Sequence, residues 1–442
     1  MGQENVQEQV RGTVQGTAPD HAQENDAVRY ISREVAEAVE RLKADARVQA
    51  ALRFAEADHE TTVADQIRLT EIPAPPFHEE ARGRAFRADL EALGLADIRV
   101  DAEGNVFGVR RGTGDGPTVF VSAHLDTVFP EGTDCRVRRE DGKLFAPGIG
   151  DDGRGLAVVL AVLRAMNSAG LETVGDVWFG ATVGEEGLGD LRGVKAFFRE
   201  NEVDGFISVE PDDPARTTYL ATGSHRYRIT FRGPGGHSFG AFGLPSAIHA
   251  MGRAIAAIAD VEVPADPKTT FTVGTVRGGT SVNTIAAEAE LMLDMRSNDE
   301  AALSALEAEV LRRVHAAVEA ENRRWDSDAI TVEVVQVGDR PAGSQPSDAP
   351  IVQVSLAASQ ALGFGAELDG PSSTDSNVPI HLGIPAVTLG GGGRCGGVHT
   401  VQEWFDPTDG HQGVQRVLLT VLGLVGVAGV TEPLLPRRGS GR

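Results

Sequence analysis

Five short segments bring metal-binding or proton-transferring residue types together. His124-Leu-Asp126 follows the apolar run Thr118–Ala123. On extended backbone, residues i and i+2 face the same way. Asp126 can thus hydrogen-bond one nitrogen of His124 and leave the other for a metal, as in carboxylate–histidine–metal pairs. Alone, the same pattern fits a surface histidine at a strand end. Gly150-Asp-Asp-Gly153 lies between a Pro/Gly turn and an apolar helix. One of its carboxylates reads as a helix cap; two together flanked by glycines are more than capping needs. Gly184-Glu-Glu-Gly187 follows a buried strand. A metal on Glu186 would relieve the repulsion in this pair and leave Glu185 to carry a proton, though a solvated acidic turn fits equally well. Glu210 ends the strand Phe206–Val209, and His399 closes a glycine-rich loop that starts at Gly390.

The five candidate ligands His124, Asp151, Glu186, Glu210 and His399 fall at the C-terminal ends of predicted strands or in the loops that follow. Open α/β sheets bind ligands at that edge. Two imidazoles and three carboxylates without a thiolate suit borderline divalent ions such as zinc. With one carboxylate bridging, each of two metals has one histidine and two carboxylate contacts, the pattern of two-metal hydrolases with ions about 3.5–4 Å apart.

The elements that must position these residues follow from the periodicity. Residues 31–57 carry helical spacing through Val35, Ala38, Val39 and Leu42, and a second helix is predicted over about 79–93. Strands are predicted at Ile98–Val100, Val106–Val109, Thr118–Ala123, Asp176–Ala181, Gly205–Val209 and Ala386–Leu389, with helices at Leu156–Met166 and Ile351–Leu362. Apolar strands alternating with helices predict an α/β fold: a mostly parallel sheet with helices on both faces. Between Gly223 and Gly338 the order changes to βαββαβ, a ferredoxin-like α+β unit. Ser297 and Glu300 there match a capping box ahead of the helix Glu300–Arg324. The expected organisation is a tail over 1–26, a catalytic domain over 27–222 and 339–442, and an inserted lid and dimerisation domain over 223–338.

Composition narrows the function classes. The chain has 442 residues, with 41 basic against 64 acidic for a net charge of −23. Nucleic acids and anionic membranes are recognised through basic groups, so neither is an expected partner. Cys135 and Cys395 form no CxxC pair, which argues against a disulfide framework or thiolate zinc site. Met1–Asp26 is polar and reads as a disordered tail rather than a signal peptide. The apolar stretch Val417–Val430 is shorter than the ~20 residues a bilayer span needs and reads as a buried helix; a cytoplasmic location is expected.

The ordered motifs HxD, GDDGRG, GEEG, VEP, GGH and GGVHT resemble the M20 family of co-catalytic metallopeptidases over roughly residues 60–430. The resemblance implies a di-zinc hydrolase, with cobalt or manganese as alternative ions, that cleaves an amide bond of a small peptide or N-acyl amino acid. It implies one metal on His124, Asp151 and Glu210, and another on Asp151, Glu186 and His399, with Asp151 bridging. Asp126 would orient His124, and Glu185 would be the general base on a metal-bridging water. His237 in Gly235-Gly-His237 would reach across a homodimer formed through the lid. Asn283 and Arg296 would bind the substrate, the guanidinium suiting a carboxylate, unless Arg296 merely pairs with Asp294 or His237 is a plain turn residue. Glu210 resembles the carboxypeptidase and deacylase branches, whereas GDDGRG and Ser373-Thr-Asp375 resemble tripeptidase-like relatives. Arg154 and Phe239 depart from common family residues and bear on substrate choice. The competing readings are a non-catalytic binding or scaffold protein that kept the fold, and an unrelated two-metal aminopeptidase fold without a lid.

Overall fold

The computed structural model describes residues 30–211 and 213–438; the tail expected over 1–26 lies outside them. The larger sheet has eight strands in the order Ala96–Val100, Val106–Arg110, Val177–Thr182, Val119–His124, Gly205–Glu210, Ala386–Gly390, Arg216–Thr218, Glu367–Asp369. Its four central strands, from Val177–Thr182 to Ala386–Gly390, run parallel. They are Val-, Phe- and Ala-rich and almost wholly buried, as expected of parallel strands covered on both faces. Their register aligns the ends that matter. His124 lies opposite Thr182, just ahead of the Glu185–Glu186 turn, and Gly390 lies opposite Glu210.

One face is covered by the buried helix Gly153–Ser168 together with Arg33–Ala44, Ala46–Ala57, Pro350–Ala361 and His411–Val425. On the other face Phe107, Phe120, Phe197 and Phe206 form an aromatic cluster in which Phe120 and Phe197 stack at 4.3 Å. Each fully buried Phe contributes about 2–3 kcal/mol. The helix expected over 31–57 is two, because Asp45 accepts the N–H groups of Arg47 and Val48 and starts a new helix. The helices His59–Thr70 and Arg192–Glu200 were not anticipated.

Nor was a small antiparallel sheet of Arg394–Gly396, Trp404–Asp406, Lys143–Phe145 and Arg138–Glu140. It joins the chain entering Asp151 to the chain on either side of His399.

Residues 223–340 form a four-stranded antiparallel sheet in the order Thr269–Gly278, Glu288–Ser297, Gly223–Arg232, Thr331–Arg340. Ala247–Ala259 and Glu300–Arg324 pack on one face of it. Glu288–Ser297 alternates between buried and more accessible positions, the period of a sheet covered on one side. This is the expected βαββαβ unit, and its last strand runs on to Arg340, past the expected boundary at 338. The cap of the long helix differs from expectation. Asp299, not Ser297, is the N-cap and accepts from Ala302 N–H, while Glu300 turns away to accept from Ala342 N–H. No helix among the described residues is long and apolar enough to cross a membrane.

Candidate metal centre

His124 ends its strand fully buried. Its Nδ1–H donates to the carbonyl of Asp126 at 2.9 Å, which turns Nε2 towards the acids, 2.9 Å from Asp151 Oδ1 and 3.8 Å from Glu210 Oε2. His399, at φ 66°, places its Nε2 3.1 Å from Asp151 Oδ2 and 3.0 Å from Glu186 Oε1. Asp151 thus presents one carboxylate oxygen to each histidine. Its neighbour Asp152 is the capping residue: one oxygen accepts Gly155 N–H and the other accepts His124 N–H. The peptide bond between the two aspartates is cis.

Asp126 does less for His124 than the sequence suggests. Its carboxylate lies 3.6 Å from the ring and instead accepts the peptide N–H groups of Glu185 at 3.0 Å and Glu186 at 2.8 Å. The second loop has a similar anchor that sequence reasoning missed. Buried Glu403 accepts the N–H groups of Gly148, Gly150 and Asp151 at 2.8–2.9 Å. It lies four residues beyond His399, but no spacing rule links it to a loop some 250 positions away.

The electrostatics follow from crowding acids away from water. Burial pushes Glu185 up to about 8 against the pull of Arg340. It also raises Glu210 and Asp152 well above the carboxylate range. Burial acts to raise Asp151 too, but the imidazoles on its two oxygens hold it low. Burial acts to lower His124, but Asp126, Asp151 and Glu210 carry it well above 6.5. Asp151 and then Glu186 raise His399 to about 10.

The donor set fits divalent ions. His124, Asp151 and Glu186 bring one ligand atom each within 4.8 Å of one another, as do His124, Asp152 and Glu210. All donors are nitrogen or carboxylate oxygen, the chemistry of zinc, cobalt or manganese sites.

The cluster opens into a cavity of about 510 Å³ between the two sheets. Asp151, Glu185, Glu186, Glu210 and His399 line it, together with four arginines: Arg216 from the larger sheet, and Arg226, Arg296 and Arg340 from the lid sheet. Arg296 both lines the cavity and pairs with Asp294, at 2.8 Å. The second oxygen of Asp294 holds Arg226 at 2.9 Å, so one carboxylate serves two guanidinium groups. Arg340, also missed, places Nη1 3.1 Å from Glu185 Oε1. Arg154 does not line the cavity; it is buried and donates to the carbonyls of Gly391 and Gly410. His237 and Asn283 are also absent from this lining and lie exposed on the far lid. The Nδ1 of His237 accepts the N–H groups of Phe239 and Gly240, so its proton sits on Nε2, facing outward as a donor.

The model of the family described as Peptidase family M20/M25/M40 matches residues 120–422. The Bacillus subtilis (strain 168) uncharacterised protein YqjE is 25% identical over 354 residues, covering 76% of this chain and 91% of its own. A tripeptidase from Staphylococcus aureus superposes with a TM-score of 0.69 at 22% identity, over 82% of this chain and 97% of that one. A Bacillus subtilis protein described as a dinuclear metal binding peptidase superposes with a TM-score of 0.63 at 17% identity, over 84% and 99%.

Proposed function

The chain belongs to peptidase family M20/M25/M40, and on that premise we propose a co-catalytic di-zinc hydrolase that cleaves an amide bond of a small peptide or N-acyl amino acid. The observation that carries this reading is Asp151, with one carboxylate oxygen on each of two histidines in the lining of a cavity that also holds Glu185. His124, Asp151 and Glu210 would hold one ion, and Asp151, Glu186 and His399 the other. Two ions bound there would offset the carboxylates, polarise an amide carbonyl and acidify water.

The chain's own residues do the rest. Glu185 takes the proton of the attacking water and later delivers it to the leaving amine. Its backbone is held in place for this by Asp126. Arg296, steadied by Asp294, captures a substrate carboxylate. We assign His237 and Asn283 to the cavity of a partner subunit, with Nε2–H of His237 as an oxyanion donor. Support for a homodimer through the lid comes from apolar Phe239 and Val282, 90% and 103% exposed beside them, and from the open edge strand Thr269–Gly278. The domain limits proposed are 27–222 with 341–442, and 223–340 for the lid, whose last strand runs to Arg340. A scaffold protein that kept the fold is disfavoured, because every ligand position and Glu185 is present and faces its partners.

The test is metal analysis with a substrate panel. Protein stripped with a chelator and reloaded with zinc, cobalt or manganese is assayed on dipeptides, tripeptides and N-acyl amino acids. Two bound ions and turnover within the panel are expected. Failure to bind divalent metal, or no turnover with any member, would sink the proposal.

A further inference from the structure

The lid's last strand ends at Arg340, whose side chain leaves the lid and enters the catalytic side of the cavity. Arg340 is 5% exposed and Glu185 6%. Nη1 of Arg340 donates to Glu185 Oε1 at 3.1 Å and to Ser373 Oγ at 3.1 Å, and Nη2 donates to the backbone carbonyl of Glu185. One guanidinium therefore grips the side chain and the main chain of the same residue. This bidentate geometry belongs to a planar fork and not to a lysine ammonium. The contact is made to Oε1, and Oε2 is the oxygen left for proton transfer.

The surrounding contacts give the grip a purpose. From the catalytic side, Asp126 holds the N–H groups of Glu185 and Glu186. From the lid side, Arg226 donates to Gly187 O at 2.6 Å, and Asp339 N–H donates to Asp190 Oδ1 at 2.7 Å. The loop over residues 184–190 is thus gripped from both sides, and Arg340 is the lid contact that reaches the Glu185 carboxylate. A glutamate side chain has several rotamers, and a proton carrier that must find its place at each turnover loses rate; fixing it beforehand removes that cost.

We propose that Arg340 is a positioning residue that clamps Glu185 and aims its free oxygen at the reacting amide. The proposal rests on Glu185 being the proton carrier. A substrate anchor would act differently: it would raise KM and leave kcat alone.

The experiment compares Arg340→Met, Arg340→Lys, Glu185→Gln and the double variant Arg340→Met/Glu185→Gln, each loaded with zinc and checked for metal content and thermal unfolding. Arg340→Met is expected to lower kcat about 100-fold, with KM and bound metal close to the parent. Arg340→Lys, which keeps the charge should the methionine variant not fold, is expected to recover only a small part of kcat. Added guanidinium ion is expected to restore activity to Arg340→Met and not to Glu185→Gln. In the Glu185→Gln background the Arg340 change is expected to cost nothing further. A KM effect without a kcat effect, multiplicative losses in the double variant, or native kcat in Arg340→Met while Glu185→Gln is inactive would overturn the clamp and leave the base assignment standing. Near-native turnover of Glu185→Gln would overturn both.

Discussion

Replacing Asp126 with Asn tests whether a residue without a place in the cavity lining sets the catalytic geometry. The side chain is fully buried and accepts two peptide N–H groups, at 3.0 and 2.8 Å. Asn keeps the shape but turns one acceptor into a donor. One charge-assisted hydrogen bond, about 1.5–3 kcal/mol, is lost, and a buried N–H is left facing an N–H at about 1–3 kcal/mol more. The combined cost of about 2.5–6 kcal/mol falls on Glu185 and Glu186, the residues proposed to carry the proton and to hold a metal, so the loop is expected to shift. A loss of 10- to 100-fold is typical when a hydrogen-bonding support behind metal ligands is removed. We expect kcat/KM to fall by about that factor, with Tm lowered, since the native bonds are lost with the activity. The assay is steady-state hydrolysis of the best panel substrate, with metal content and a thermal melt on the same sample. An Asp126→Asn enzyme within about threefold of the parent in kcat/KM, with an unchanged melt, would refute the reasoning.

Glu185→Gln keeps the volume and cannot take a proton; kcat is expected to drop at least about 100-fold with both ions retained in metal analysis. Glu321 is fully buried in the lid and accepts Ser246 N–H and Trp325 Nε1–H. Arg253, paired with its other oxygen, is 43% exposed and adds under about 1 kcal/mol. Glu321→Ala is therefore expected to cost about 3 kcal/mol, read by urea unfolding followed through tryptophan fluorescence; a loss below about 1 kcal/mol would contradict the assignment. Asp339, against the opposing pull of burial and helped by Glu307, raises His225 above its usual 6.5. A histidine raised on folding stabilises fully below 6.5, and its contribution fades as pH climbs through the raised value. The Tm advantage of the parent over His225→Gln is thus expected to be largest near about pH 6 and to shrink towards about pH 9, measured by thermal melts across that range.

Much of this fold is legible because its signals are local. The alternation in Glu288–Ser297 and the apolar runs at Val119–His124 and Gly205–Glu210 identify strands without reference to anything distant. The break at Asp45 and the cap at Asp299 were misjudged because several side chains nearby can accept a helix N–H, and the tertiary surroundings select among them. Glu300 matches a capping residue by spacing, yet it is drawn away by Ala342 N–H.

The same division runs through the candidate site. The residue types and order of His124, Asp151, Glu186, Glu210 and His399 are in the sequence; parallel register carries His124, Glu186 and Glu210 towards one sheet edge, and the small antiparallel sheet brings Asp151 and His399 to it. Their supports are not there to be read. Arg340 meets Glu185 across 155 positions, and Glu403 meets the Asp151 loop across about 250. Asp126 stays 3.6 Å from the nearby histidine ring but gives its hydrogen bonds to two peptide N–H groups some 60 positions away. By itself the sequence determined the candidate ligand types, their order and most of the elements that present them, because residue chemistry and hydrophobic period are properties of short segments. The tertiary structure decided which buried acid answers which donor, because a polar group shut away from water must pair with whatever the fold brings within about 3 Å.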